Sequence, residues 1–270
     1  MRIARSFEKA RDENRAALGI FVTAGDPDPQ TAMDILLGLP DQGVDFVELG
    51  MPFSDPMADG PSIQASSRRA LKAGVKLADV LAMATAFREK HPDVPLILMG
   101  YYNPIYIYGV DRFIADALKA GVDGMIMVDL PPEEDDEFCI PARKAGLDMI
   151  RLVTPTTNAA RMPRVMANSS GFVYYVSITG ITGTRSASGS SIEAAMKRIK
   201  AATELPAVVG FGIRSREQVA EAAVHADGVV VGSAIVDCLA GSLDENGAAG
   251  ADTVSGVLAL AADLAAGRNR

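Results

Sequence analysis

The chain of 270 residues contains no tryptophan, two cysteines and two histidines. Cys139 and Cys238 lie in stretches with a helical pattern and no apolar leader precedes them, so we expect free thiols and a cytoplasmic protein. His91 and His225 are far apart in the sequence, and no Cys-x-x-Cys motif accompanies them. Because transition-metal sites are built from clustered His and Cys ligands, we expect no metal in this chain.

Long apolar runs and clusters of basic residues are absent as well. The apolar runs end far short of the roughly 20 residues that a membrane-spanning helix needs. The 26 basic residues are scattered among 34 acidic ones, which gives a net charge of −8. Nucleic-acid binding depends on clustered Lys and Arg. We therefore expect neither a membrane nor a nucleic acid as a partner.

The sequence does contain a repeated pattern: a short apolar run, then Gly or Pro, then a helical stretch. The composition is 49% apolar, and the length suits either one large barrel or two ordinary domains. Runs that are apolar on both faces are typical of parallel strands covered by helices. Eight such runs occur, at residues 18–23, 46–49, 96–99, 124–128, 149–153, 172–177, 207–210 and 228–231.

The stretches between these runs carry helix signals. Asp28-Pro29 and the acidic segment 131–136 mark helix starts, and Ala-Gly pairs at 73–74, 120–121 and 145–146 mark helix ends. Two helices are expected at 62–73 and 77–90, and another at 253–266. Eight βα units with added N-terminal and loop helices predict an α/β fold. We interpret residues 1–270 as a single (β/α)8 TIM barrel.

Two carboxylates follow the second predicted strand. Alternation places Glu48 on the same face as Phe46, where a carboxylate is costly unless it has a partner or a function. The loop at 50–61 is rich in Pro and Gly, which restricts the backbone around Asp55 and Asp59. Glu48 and Asp59 form the kind of pair that acid–base catalysis uses. The alternatives are a solvent-facing Glu48 and an Asp55 that caps a helix or closes a turn.

Three glycine-containing clusters follow the last three strands, where TIM barrels bind phosphate. They contain Thr182 and Gly183, then Phe211 and Gly212, and finally Gly232 with Ser233, which begins a helix. Glycine lets backbone N–H groups approach an anion closely, so we predict a phosphate site. The stretch 177–191 has the composition of a lid, although an ordinary surface loop has the same composition.

Apolar and aromatic side chains near the strand ends are candidates for a flat binding pocket, although each is also a plausible core residue. They are Phe21, Met99, Tyr101, Tyr174 and Phe211. No lysine lies near the end of any strand, so Schiff-base chemistry has no evident nucleophile. Carboxylates alone can cleave a phosphorylated substrate only when protonation activates the leaving group.

The segments 21–27, 47–61 and 210–213 closely resemble the tryptophan synthase α subunit family, and the likeness covers nearly the whole chain. The resemblance implies retro-aldol cleavage of indole-3-glycerol phosphate to indole and glyceraldehyde 3-phosphate. Asp59 would hold the indole N–H, and Glu48 would move the proton between the glycerol hydroxyl and indole C3. Gly183, Gly212, Gly232 and Ser233 match phosphate-binding positions in the family.

The resemblance further implies that Phe21, Met99, Tyr174 and Phe211 form the indole pocket. It implies a β subunit that carries pyridoxal phosphate, in an α2β2 heterotetramer, with no cofactor in this chain. Asp55 matches a position that contacts the β subunit, and Thr182 matches a lid residue; Ile178 departs from the basic residue that some relatives carry in the lid. The rival hypotheses are a stand-alone lyase, a non-catalytic regulatory subunit and another phosphate-binding barrel isomerase.

Overall fold

A computed structural model describes residues 1–176, 189–210 and 212–269. In these residues, eight parallel strands form a closed barrel in the order β1 to β8. The strands are β1 Ala17–Thr23, β2 Phe46–Gly50, β3 Leu96–Gly100, β4 Gly124–Met127, β5 Asp148–Val153, β6 Val173–Val176, β7 Ala207–Gly210 and β8 Gly228–Val231. Each predicted apolar run is therefore a barrel strand, and the predicted (β/α)8 TIM barrel is confirmed.

The α-helices of the described residues surround this barrel. They are α1 Arg2–Asp12, α2 Pro29–Gly38, α3 Pro61–Lys72, α4 Leu77–Lys90, α5 Tyr102–Tyr108, α6 Val110–Lys119, α7 Cys139–Ala145, α8 Met162–Met166, α9 Gly189–Lys200, α10 Arg216–Ala223, α11 Ser233–Gly241 and α12 Thr253–Ala266. Asp28 caps α2 by accepting from the N–H groups of Gln30 and Thr31, as the Asp-Pro signal predicts. Within these described elements, no helix is long and apolar enough to cross a bilayer.

The prediction of a helix beginning at residue 131 is wrong. Only a short 3₁₀ turn, Pro132–Glu134, forms there, and α7 begins at Cys139. The physical reason is that Asp135 is buried in an ion pair with Arg151 of β5 and accepts from Asn168 Nδ2 at 2.7 Å. These tertiary contacts hold the acidic segment against the barrel and outweigh its local helix signal.

The barrel interior is packed at its amino-terminal end by α1. Phe7 of α1 lies with Phe46 and Phe172 in an aromatic cluster whose ring centroids are 5.4 to 5.8 Å apart. Burial of such large rings contributes strongly to stability. Val47 and Leu49, on the opposite face of β2, belong to the layer between strands and helices. Phe46 and Glu48 thus share one face of β2, as predicted, and that face points into the barrel.

Helix α3 is tied to the loop that follows β1. The Arg69 guanidinium forms an ion pair with the buried Asp26 carboxylate at 2.6 Å. The hydroxyls of Thr23 and Ser66 are also hydrogen-bonded at 2.7 Å. Because α3 begins at Pro61, these contacts fix the segment that directly follows Asp59. The sequence signals did not reveal this connection between β1 and α3.

Candidate active site

The carboxyl ends of the strands surround a cavity of about 350 Å³. Most of the predicted site residues that the structure describes lie in its wall, on the loops or strand ends of β1, β2, β3, β6, β7 and β8. They are Phe21, Glu48, Asp59, Met99, Tyr174, Gly212, Gly232 and Ser233. The barrel thus brings together side chains that are up to 212 residues apart in the sequence (Phe21 to Ser233).

The pKa of Glu48 is strongly perturbed in this wall. Its side chain is only 1% exposed, and neither carboxylate oxygen has a hydrogen-bond partner within the described chain. Burial without a partner disfavours the charged form and raises the pKa of Glu48 to about 8. Tyr174 lies close enough for the Glu48 charge to add to the effect of burial in raising the pKa of its phenol. Glu48 is therefore mostly protonated at neutral pH.

Asp59 lines the same cavity from the loop after β2. Burial raises the pKa of Asp59 to about 6, and a hydrogen bond from Tyr101 opposes that rise. The Tyr101 hydroxyl also accepts from the Ala58 N–H at 3.0 Å, and the Tyr101 ring lies 5.2 Å from the ring of Phe53. Tyr101, which directly follows β3, thereby holds the loop that carries Asp59. Asp59 is mostly ionised at pH 7, while Glu48 is mostly protonated.

The part of the wall formed by the last two βα units has the features of an anion site. Gly212 has a positive φ of 80°, which a side chain would strain, so the backbone after β7 turns sharply beside the cavity. Gly232 precedes α11 and supplies no side-chain cap, while Ser233 at the first position of that helix is exposed. Backbone N–H groups at a helix start and in a glycine turn are suited to a phosphate.

Sequence reasoning missed one ion pair in the cavity wall. The Arg214 Nη2 atom lies 2.7 Å from the Asp237 Oδ2 atom, and both residues line the cavity. A signal was present: Asp237 follows Ser233 by four residues, which places both on one face of a helix. Arg214 follows the glycine-rich segment after β7 directly.

The remaining predicted residues lie elsewhere or are not described. Tyr101 is buried and supports the Asp59 loop rather than lining the cavity. Asp55 is exposed on the same loop, where its carboxylate accepts from the Ser54 hydroxyl at 2.5 Å. Thr182, Gly183 and Phe211 lie outside the described residues, as does most of the predicted lid. The lid prediction extended too far, because residues 189–191 already belong to α9.

A second cavity, of about 670 Å³, lies at the amino-terminal end of the barrel beside α1. Its wall contains surface ions, among them Arg143, Glu204 and Lys200, the last paired with Asp227 at 3.1 Å. The smaller cavity holds the pair of carboxylates with raised pKa values. Perturbed titratable groups at the carboxyl ends of barrel strands mark catalytic sites, so we assign the candidate active site to the smaller cavity.

A closed (β/α)8 barrel with two such carboxylates at its carboxyl end defines a TIM-barrel enzyme. The sequence model of the tryptophan synthase alpha chain family matches residues 7–262. The chain belongs to the tryptophan synthase alpha chain family, and it is thereby a lyase subunit of tryptophan biosynthesis.

Solved structures agree with this assignment. Tryptophan synthase subunit alpha from Legionella pneumophila is 38% identical, with a TM-score of 0.89, over 98% of this chain and 97% of that chain. A chain of Mycobacterium tuberculosis tryptophan synthase is 36% identical, also with a TM-score of 0.89, over 100% of this chain and 98% of that chain.

Proposed function

We propose that the chain cleaves indole-3-glycerol phosphate to indole and glyceraldehyde 3-phosphate. The observation that carries this proposal is the placement of Glu48 and Asp59 in one cavity with the glycine turns of the last two βα units. Their pKa values of about 8 and about 6 separate a proton donor from a carboxylate at neutral pH. Such a separation is how two carboxyl groups take different roles in one site.

In the proposed reaction, protonated Glu48 donates its proton to indole C3, which converts the ring into a carbon leaving group. The Glu48 carboxylate then takes the proton of the glycerol hydroxyl next to the ring. The carbon–carbon bond breaks, its electron pair restores the aromatic ring, and the hydroxyl-bearing carbon becomes the aldehyde. The Asp59 carboxylate accepts the indole N–H hydrogen bond and stabilises the positive charge on the protonated ring.

The rest of the cavity suits the two ends of this substrate. Phe21, Met99 and Tyr174 supply an apolar wall for the indole ring. We propose that Gly212, Gly232 and Ser233 bind the phosphate through backbone and hydroxyl groups. The same proposal includes Gly183 in the phosphate site, Phe211 in the indole pocket and Thr182 in a lid over Asp59.

We further propose that the chain acts with a tryptophan synthase β subunit, in an α2β2 complex, and passes indole to it. The β subunit would hold pyridoxal phosphate and join indole to serine. Asp55 lies on an exposed loop with Met57, whose surface is 74% exposed, so this loop is available for a partner. We propose a cytoplasmic location because Cys139 and Cys238 are free cysteines in the structure.

The test is to incubate the purified chain with indole-3-glycerol phosphate, with and without a β subunit, and to measure indole. We expect Glu48→Gln and Asp59→Asn to reduce the cleavage rate by about 100-fold or more. Glu89→Gln, on the exposed surface of α4, is the matched control and should cleave at the wild-type rate.

Each of the other outcomes would contradict the proposal or support one of the rival hypotheses. Wild-type rates in both active-site variants would exclude carboxylate catalysis here. Full activity of the isolated chain, with no increase on adding the β subunit, would indicate a stand-alone lyase. No turnover with or without a β subunit would indicate a regulatory subunit or a barrel enzyme with another substrate.

A further inference from the structure

The charges in the wall of the active-site cavity are unbalanced for an anionic substrate. Three carboxyl groups, those of Glu48, Asp59 and Asp237, line the cavity. Among the described residues of the wall, Arg214 is the only cationic side chain. Backbone N–H groups supply only partial charges, so a cationic side chain in this wall would strengthen the binding of a phosphate dianion close to the carboxylates.

The position of Arg214 suits this role. Its backbone follows the Gly212 turn by two residues and is held there, because the Arg214 N–H donates to the Gln218 Oε1 atom at 2.6 Å. The Asp237 carboxylate pairs with the guanidinium at 2.7 Å and lies one helical turn after Ser233. The guanidinium therefore lies beside α11, in the wall of the same cavity as Gly212, Gly232 and Ser233.

The ion pair leaves Arg214 free to bind a further anion. Within the described residues, Asp237 engages one guanidinium nitrogen, Nη2, and a guanidinium has five N–H donors in a planar fork. The side chains of Arg214 and Asp237 are 50% and 39% exposed. An ion pair with that exposure contributes little to stability, so reorientation of the guanidinium toward a phosphate costs little. A phosphate bound by two parallel guanidinium N–H groups interacts with Arg214 more strongly than the carboxylate of the exposed ion pair does.

We propose that Arg214 is a binding residue for the substrate phosphate, and that Asp237 positions its guanidinium while the site is empty. This inference rests on the proposed function for the identity of the phosphorylated substrate. It adds a side-chain cation to a phosphate site otherwise made of backbone N–H groups and the Ser233 hydroxyl.

The test compares Arg214→Gln with the matched control Arg216→Gln, which removes an exposed arginine two residues further on, at the start of α10 and outside the cavity wall. Calorimetric titration with sn-glycerol 3-phosphate measures phosphate binding, and glycerol is the probe without phosphate. We expect Arg214→Gln to weaken glycerol 3-phosphate binding about tenfold, the size of a charge-assisted hydrogen bond. Arg216→Gln should bind like the wild type, and glycerol should not distinguish the variants.

Kinetics give a second readout. For indole-3-glycerol phosphate, Arg214→Gln should raise KM by a factor similar to the loss of glycerol 3-phosphate affinity and leave kcat within about twofold, because the phosphate is bound equally before and during cleavage. Arg214→Lys should recover part of the affinity, since it restores the charge without the planar fork. Circular dichroism and thermal unfolding establish that each variant is folded.

Equal glycerol 3-phosphate binding by the two Gln variants would overturn the inference, and so would the absence of binding by the wild type. If the wild type binds glycerol 3-phosphate but releases no indole from indole-3-glycerol phosphate, the proposed function fails, while the titration still decides the role of Arg214.

Discussion

Replacing Glu48 by Gln should stabilise the protein at neutral pH while it removes activity. The substitution keeps the size and polarity of the side chain and deletes its ionisable group. In the folded chain, burial without a partner raises the pKa of Glu48 from 4.5 to about 8. The folded state consequently holds a proton that the unfolded state releases as the pH rises above 4.5.

The size of the effect follows from this pKa difference. Since the folded state binds more protons between the two pKa values, the free energy of unfolding falls as pH rises through that range. At about 1.36 kcal/mol for each pH unit, the ionisation of Glu48 in the unfolded state lowers the free energy of unfolding by about 3 kcal/mol at pH 7 and about 1 kcal/mol at pH 5, relative to a side chain that is always neutral. Gln is neutral at both pH values and has no such dependence.

Urea unfolding followed by circular dichroism at pH 5 and pH 7 measures the difference. We expect the stability of Glu48→Gln relative to the wild type to increase by about 2 kcal/mol from pH 5 to pH 7. The control Glu89→Gln should show no comparable change, because its side chain is exposed. If the difference between Glu48→Gln and the wild type is the same at both pH values, Glu48 is not an unpartnered buried carboxyl group and the reasoning is refuted.

Two further predictions concern the support of the site and the barrel core. Tyr101→Phe removes the hydroxyl that accepts from the Ala58 N–H and donates to Asp59, so the pKa of Asp59 should rise further above its usual value. The acidic limb of the pH profile of kcat/KM should therefore move to higher pH. An unchanged acidic limb would contradict this prediction. Gly19→Ala places a Cβ atom in steric overlap with the Cε2 and Cζ atoms of Phe46. Overpacking should lower the free energy of unfolding by about 1–3 kcal/mol, measured by urea unfolding, and an unchanged midpoint would show that the ring moves aside without cost.

The strands were predictable because parallel barrel strands are apolar on both faces, so each run stands out from the amphipathic helices around it. The runs at 207–210 and 228–231 match β7 and β8 at both ends. Strand β5 begins one residue earlier than its apolar run, at Asp148, because this polar residue pairs with Gly124 of β4. A contact between neighbouring strands decides that boundary, and no local pattern contains it.

The candidate site likewise contains residues that local sequence patterns predict and residues that depend on tertiary contacts. Glu48 was predictable because a carboxylate in an apolar strand conflicts with its surroundings, and Asp59 because Pro and Gly restrict its loop. Arg214 was not identified as part of the site, since an arginine near a helix start is common and its importance depends on its ion pair with Asp237 of α11. The role of Tyr101 behind Asp59 likewise depends on how β3 packs against a loop of β2.

Because the side chains of β2 alternate between two faces, catalytic activity depends on correct assembly of the barrel. Phe46 and Glu48 share one face of the strand, and the register pairs Glu48 with Phe21 on one side and Ile97 on the other. A slip of one residue would exchange this face for the one that carries Val47 and Leu49, which would expel the carboxylate from the cavity. A misassembled chain with native-like helix content should thus be inactive, so recovery of lyase activity during refolding should track the closure of the barrel in its native register.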